Sequence, residues 1–228
     1  MSLRFPSALG LLLGLLAVAP AHAADPAYVP SLDQLMHDTM KSDPAPNRVD
    51  MVWWIPTDFW RATFATNPDV SAAQAQKMVD ALDPYAMFAV VQGQMGPMGA
   101  VEFKEGAEVR AGLSLKTAFG TTLVPLAEDK LGGDAALFAQ LMKPMLARML
   151  GPMGEHLEFY FFDNKDAKGS LVVDPRAEGA FTVQVGTQPF AWQLPLESLF
   201  APVDCAKCGR ELKGTWSYCP YDGTKVKK

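Results

Sequence analysis

Residues 51–91 read MVWWIPTDFWRATFATNPDVSAAQAQKMVDALDPYAMFAVV, and the fold class follows from this pattern. The two ends of the stretch, Met51–Ile55 and Met87–Val91, are short apolar runs of the kind that form buried strands. Thr57 and Ser71 are helix-capping residues, and each precedes a segment whose apolar side chains recur at helical spacing. The stretch therefore predicts a strand, two helices and a second strand in succession.

The same patterns continue on both sides of this stretch. Two more helices are predicted, one from Ser31 to Met40 and a longer one that opens at Gly132-Gly133-Asp134 and contains Pro144. Further strands are predicted at residues 100–103, 109–115, 121–126, 157–162, 181–185 and 190–194. We expect an α+β body in which an antiparallel sheet carries its helices on one face, followed by a small C-terminal hairpin.

Composition excludes several classes of protein. The chain has 228 residues, of which 49% are hydrophobic and 20% are charged, and its formal net charge is -5. These values argue against a disordered chain and against a basic nucleic-acid-binding protein. After the N-terminal segment described next, no apolar run reaches the roughly 20 residues that a membrane span needs.

The N-terminal segment has the features of a secretory signal peptide. Arg4 supplies the positive charge, Ala8–Ala19 forms the apolar region, and Ala21 and Ala23 are the small residues that a signal peptidase reads. We therefore expect residues 1–23 to be removed and the mature protein to be periplasmic or secreted.

The remaining chain divides by charge into a body and a tail. The body, residues 24–202, contains 13 basic and 22 acidic residues, whereas the tail, residues 203–228, contains six basic and three acidic ones. A basic tail on an acidic body predicts that the tail docks on its own body or meets an anionic partner.

Catalytic motifs are missing from the sequence. It contains no phosphate-binding glycine loop, dinucleotide fingerprint, nucleophile elbow or paired-histidine zinc motif. His37 lies four residues after Asp33 on a short helix, a spacing that permits a metal or acid/base pair but favours a solvated ion pair. His156 follows Glu155 at the entrance to a strand and indicates a surface turn.

Methionines and aromatic residues offer two further candidates. Met95 and Met98, and the series Met142, Met145, Met149 and Met153, have spacings that suit Cu(I) binding by thioethers. Residues 142–149 coincide with an apolar stripe that includes Phe138 and Leu141, so the sequence favours core packing for this helix. The aromatic cluster is also predicted to form a wall of the core; its members are Trp53, Trp54, Phe59 and Trp60.

The tail carries the most specific motif. Cys205-Ala-Lys-Cys208-Gly209 is followed by Glu211–Tyr218, which predicts a hairpin turning near Gly214, and then by Cys219-Pro-Tyr-Asp222-Gly223. This segment resembles a zinc ribbon, in which two C-x-x-C-G knuckles face each other, with Asp222 at the position of the fourth cysteine.

The resemblance implies a Zn²⁺ ion held by Cys205, Cys208, Cys219 and Asp222, because tetrahedral zinc needs four donors and a carboxylate can be one of them. Two alternatives stay open. Zinc could be bound by three thiolates and water, or two of the thiols could form a disulfide in an oxidising compartment.

From these features we expect an exported envelope protein with a non-enzymatic binding or scaffold domain and a structural zinc ribbon. The alternatives are an envelope protein that handles zinc or copper, and a hydrolase-type enzyme whose site assembles only in three dimensions.

Overall fold

A computed structural model describes residues 28–226. The predicted signal peptide, residues 1–23, lies outside the described residues, so its cleavage stays a prediction. Within the described range, none of the helices combines the length and the apolar character that crossing a membrane would require.

Five helices are described in this range. Their bounds are Leu32–Thr39 (α1), Thr57–Ala65 (α2), Ala72–Leu82 (α3), Gly106–Ala111 (α4) and Gly133–Met149 (α5). Short 3-10 turns are found at Glu128–Lys130, Gly151–His156 and Glu197–Leu199. The predicted cap of α3 is confirmed, because the Ser71 hydroxyl accepts from the Gln74 N–H while the Gln74 side chain accepts from the Ser71 N–H.

The strands are all short and pair antiparallel. They are Met40–Ser42 (β1), Met51–Trp54 (β2), Tyr85–Val91 (β3), Gly93–Met95 (β4), Val101–Phe103 (β5), Leu113–Thr117 (β6), Thr122–Leu123 (β7), Glu158–Asp163 (β8), Gly179–Val185 (β9), Gln188–Leu194 (β10), Val203–Asp204 (β11) and Glu211–Leu212 (β12). Two four-stranded sheets have the orders β1-β2-β3-β8 and β10-β9-β6-β7, and β4-β5 and β11-β12 form two-stranded ribbons.

The body is built in three layers with the first sheet in the middle. Neighbouring residues of a strand point to opposite faces, and Trp53 meets Phe59 of α2 at a ring distance of 5.2 Å while Trp54 meets Phe181 of β9 at 4.9 Å. Helices therefore cover one face of the first sheet and the second sheet covers the other. The α+β prediction is confirmed, and the strands form two sheets where one was expected.

Aromatic side chains fill both interfaces. The predicted core wall of Trp53, Trp54, Phe59 and Trp60 is confirmed, since all four residues are buried. Trp60 also packs edge-on against Phe138 of α5 at 4.7 Å, which joins α2 to α5. Thr39 at the end of α1 receives hydrogen bonds from the indoles of Trp53 and Trp192, each 3.1 Å long, and so links α1 to both sheets.

Three predicted elements differ from the structure in their bounds or type. The strand predicted at residues 109–115 is instead α4 followed by β6, since the short α4 buries only Val109 and leaves no periodic signal. Met40, which the sequence places at the end of α1, begins β1 and pairs with Trp53. A strand was expected at 121–126, but only residues 122–123 are paired with β6.

The face of α5 that packs against the core differs from the predicted apolar stripe. Phe138 is buried and Met142 is half-buried, as expected, but Leu141, Met145 and Met149 are exposed. The buried positions of α5 are Ala135, Phe138 and Leu146. Apolar residues occur on several sides of this helix, so their spacing alone did not identify the face that contacts the sheet.

This geometry predicts opposite results for two neighbouring substitutions in α5. Leu146→Ala should lower the free energy of unfolding by about 2–5 kcal/mol, because Leu146 is 1% exposed and its loss leaves a cavity. Met145→Ala, at 45% exposure, should change it by less than about 1 kcal/mol. Urea unfolding of both variants measures the difference, and equal losses would contradict the described orientation of α5.

Candidate metal centre

The tail consists of two short hairpins that follow one another. In the first, β11 pairs with β12, and in the second, Tyr218 pairs with Lys225. Each hairpin encloses one of the two cysteine-containing turns. The sequence predicted a hairpin over residues 211–218 instead. A turn does occur there, and the Trp216 N–H closes it by donating to the Lys213 carbonyl. The paired strands, however, flank the two cysteine-containing turns on either side of it.

The two turns have the same backbone hydrogen bonds fourteen residues apart. The Cys205 N–H donates to the Arg210 carbonyl, and the Cys205 carbonyl accepts from the Gly209 N–H. Both hydrogen bonds are 2.8 Å long. Cys219 donates to the Thr224 carbonyl at 2.8 Å and accepts from Gly223 at 2.9 Å. Cys208 and Asp222 therefore occupy equivalent positions.

Glycine is required at the end of each turn. Gly209 has φ of 68° and Gly223 has φ of 72°, in the left-handed region that other residues rarely adopt. These two residues let the chain reverse directly after Cys208 and Asp222, so that each turn directs both of its donors to one place.

The four predicted ligands are brought together. One donor atom from each of Cys205, Cys208, Cys219 and Asp222 lies within 4.8 Å of all the others. The sulfurs of Cys208 and Cys219 are 3.8 Å apart, and the Cys205 sulfur is 3.4 Å from Asp222 Oδ2. All three cysteines are free thiols. The cluster can therefore hold a metal ion.

Neighbouring groups shift the pKa values of Cys205 and Cys208 in opposite directions. The Cys208 N–H, 3.5 Å from the Cys205 sulfur, lowers the pKa of Cys205. The Arg210 N–H acts to lower the pKa of Cys208, but desolvation and the adjacent Cys205 and Asp222 together raise it to about 11.

The carboxylate of Asp222 is held in its charged form. The Thr224 N–H donates to Asp222 Oδ1 at 2.9 Å, and this bond keeps the pKa of Asp222 well below its usual range. Because like charges repel at these short distances, the thiols and the carboxylate do not all ionise together unless a cation lies between them.

The interior of the tail is largely the cluster itself. Its buried side chains are those of Cys205, Leu212 and Cys219, with Val203, Trp216 and Val226 packed around them. This apolar cluster is separate from the core of the body. Arg210 of the first turn lies 4.2 Å from the ring of Tyr221 in the second and adds a cation–π contact across the cluster.

The tail contacts the body through the segment between its two hairpins. Lys213 forms an ion pair with Glu197 at 2.5 Å. At Gly214 the backbones approach so closely that an added Cβ would overlap the Ala201 carbonyl and lie 2.7 Å from Phe200 Cβ. Sequence reasoning missed this contact, because nothing local distinguishes a glycine in a turn from a glycine against a neighbouring chain.

The other candidate residues lie elsewhere. Asp33 and His37 line one groove, yet no ion pair joins them within the described part of the chain. His156 is exposed and its ring stacks on Phe103 at 3.8 Å, in agreement with the predicted surface turn. Met95 and Met98 are exposed, the latter at 97%.

Comparison of the chain with protein-family models, with curated proteins and with solved structures finds no match.

The close approach at Gly214 predicts that Gly214→Ala disturbs the seating of the tail. The added methyl group has no free space, so the variant should lose about 1–3 kcal/mol of stability or release the tail from the body. Limited proteolysis of the connection at residues 200–203 and urea unfolding measure these effects. Gly133→Ala is the control, since its Cβ would meet nothing within 4 Å. Wild-type behaviour of Gly214→Ala would contradict the described contact.

Proposed function

We propose that this chain is an exported envelope protein with a non-enzymatic binding or scaffold domain, stabilised at its C-terminus by a zinc ribbon. The observation that carries the proposal is the convergence of three thiols and one carboxylate from two equivalent turns on a single point. Donors placed this way are typical of structural metal sites, which are closed on all sides by protein ligands.

The spacing of the donors supports zinc. A tetrahedral ion with Zn–S bonds of about 2.3 Å has S–S edges of about 3.8 Å, and a carboxylate at about 2.1 Å gives an S–O edge of about 3.6 Å. The distances of 3.8 Å between Cys208 and Cys219 and 3.4 Å between Cys205 and Asp222 are close to both values. Thiolates favour soft or borderline ions over Mg²⁺ and Ca²⁺, which prefer oxygen ligands.

A structural role follows from the small size of the tail core. Leu212 is the only fully buried side chain among the described tail residues that is not a proposed zinc ligand. So little apolar burial cannot stabilise a segment of this length, and the free energy of metal binding takes its place.

The binding or scaffold assignment is supported by where the reactive side chains lie. The three cysteines belong to the metal cluster, and the two histidines of the described chain are in separate places, His37 beside the tail and His156 against Phe103. Such a distribution differs from an active site, in which a nucleophile and a base lie within hydrogen-bond reach.

Zinc content and its dependence on each ligand test the proposal. Protein purified from the envelope should carry about one zinc ion per chain. Cys208→Ser should abolish zinc retention, whereas Asp222→Ala should weaken it less, because water replaces one donor while three thiolates remain. Asp222→Cys should tighten binding, since thiolate is the softer donor.

Elemental analysis, with competition against a chromophoric chelator, measures these effects. The variants Lys207→Ser and Asp204→Ala serve as controls, because they change tail residues that are outside the cluster. Zinc below about a tenth of an equivalent together with a cysteine disulfide in the mass map would contradict the proposal and favour a redox tail. Equal affinity of wild type and Asp222→Ala would favour three thiolates and water.

Export is tested separately. Removal of residues 1–23 should leave Ala24 as the first residue, and intact-mass measurement of protein from the native envelope checks this. A mass that retains the N-terminal segment would refute the predicted cleavage.

A second function, metal exchange, is favoured by the exposure of one ligand. Cys205 and Cys219 are buried, but Cys208 is exposed and Asp222 is half-buried. An acceptor protein or chelator could reach the site from that side. Zinc transfer to a chelator within seconds would support exchange, whereas release over hours would support the structural role.

A further inference from the structure

The outer face of α5 is apolar and uncovered. Leu137, Leu141, Met145 and Met149 recur every four residues along this helix and are 54%, 64%, 45% and 51% exposed. Residues four apart are neighbours on a helix surface, so these side chains form one continuous row. Soluble monomers rarely expose a large continuous apolar surface, and such surfaces are typical of protein interfaces.

The residues of this face are arranged symmetrically about Leu141. Leu137 and Met145 lie four residues before and after it, and Asp134 and Arg148 lie seven residues before and after it. Seven residues make almost two helical turns and span about 10.5 Å along the axis, so both charges lie on the same side of α5 as Leu141.

The two charged side chains have no partners of their own. Asp134 and Arg148 are exposed, and neither side chain forms an ion pair or hydrogen bond among residues 28–226. If a second copy is rotated by 180° about an axis through Leu141, Asp134 of each copy lies opposite Arg148 of the other. The same rotation brings Leu137 opposite Met145. The face is therefore complementary to itself in both shape and charge.

The charge balance of the face argues for a second copy over other partners. The row is accompanied by one acid and one base, and the neighbouring Lys143 is already paired with Glu158 at 2.7 Å. An anionic lipid surface selects several basic residues, and a strongly charged protein partner selects one sign of charge. A face with one free charge of each sign favours a partner that carries the same two charges in reverse order.

The available area is that of a weak dimer. α5 has 17 residues and is about 25 Å long. A strip of this length on a helix about 10 Å wide gives roughly 400–500 Å² from each copy, or about 800–1,000 Å² in total. Specific interfaces begin at about 1,000 Å², so a pair of α5 helices lies at the lower limit, where association is reversible.

We propose that the mature chain forms a twofold symmetric dimer through α5, with the two helices antiparallel and Leu141 at the axis. The side chains of Leu137, Leu141 and Met145 form the apolar seam. Asp134 of each copy pairs with Arg148 of the other, and these two ion pairs fix the register of the helices. The dimer goes beyond the proposed binding or scaffold role and does not depend on the zinc ribbon.

Sedimentation equilibrium of the mature chain, at about 1–500 µM, tests the proposal in the range expected for a small interface. The expected result is a reversible equilibrium between monomer and dimer. The buffer contains a reductant, because Cys208 is an exposed free thiol that could cross-link two chains. A monomer at every concentration would overturn the proposal and leave the face to a different protein or to a lipid surface.

Leu141→Glu should weaken association at least about tenfold, because two carboxylates would then meet at the axis. Leu141 is 64% exposed, so the monomer should stay folded, and urea unfolding at low protein concentration checks this. Phe119→Glu is the matched control. It adds the same charge at a side chain that is 94% exposed on the turn between β6 and β7, in the sheet that lies on the far side from the helices. Equal effects of the two variants would overturn the proposal.

Charge reversal tests the register. Asp134→Arg and Arg148→Asp should each weaken association about fivefold, because like charges then face each other. The double variant should return to within about twofold of wild type, since both ion pairs form again with the signs exchanged. A merely structural effect would give the opposite order, because both substitutions oppose the helix dipole and the double variant would be the most damaged. Failure of the double variant to recover would overturn the proposed pairing.

Cys208→Ser separates the dimer from the zinc ribbon. This variant should lose zinc and still dimerise as wild type does, because α5 belongs to the body and Cys208 to the tail. Loss of the dimer together with zinc would place the interface on the tail and overturn the proposal. A zinc-loaded wild type that stays monomeric would overturn the dimer and leave the ribbon supported.

Discussion

Burial of the β2–β3 strand pair on both faces is the constraint on which the rest of the body depends. All four residues of β2 are buried, because Trp53 packs under the helices while Trp54 packs against the second sheet. A strand with large side chains on both faces cannot meet water on either, so both covering layers are needed to fold it. Both indole N–H groups that reach Thr39, from Trp53 and Trp192, tie the first helix to these layers.

The tail obeys a different constraint, because it is too small to have such a core. The buried side chains of the tail are Cys205, Cys219 and Leu212, and two of these are also members of the cluster that can hold a metal ion. Repulsion among neighbouring anionic donors would open this arrangement, and a bound cation would convert the repulsion into attraction. Cys205 and Cys219 thus belong both to the interior of the tail and to the candidate site, whereas Cys208 and Asp222 complete the site from its more exposed side.

Body and tail are connected through a few specific contacts. Arg176 donates to the buried carboxylate of Asp58 at 2.7 Å and to the Leu199 carbonyl at 3.3 Å, so the end of the body is fixed to α2. Two residues after Leu199, the backbone at Ala201 packs against Gly214 of the tail. An exposed pair such as Lys213–Glu197 contributes little stability by itself, and the backbone approach at Gly214 is the more demanding contact. The groove beside α1 exists because of this seating.

Local sequence determined the features that depend on neighbours along the chain. The helix cap at Ser71, the apolar strands β2 and β3, and the two turns at Cys205–Gly209 and Cys219–Gly223 all follow from short-range spacing, and so does the set of four donors. Tertiary structure alone decided the division of the strands into two sheets, the pairing of Met40 with Trp53 in β1–β2, and the face of α5 that contacts the core. It also decided that Asp33, Ser198 and Lys213 share one groove. Residues far apart in sequence come together through packing, which depends on the shapes of whole elements, whereas a cap or a turn is closed by hydrogen bonds within a few residues.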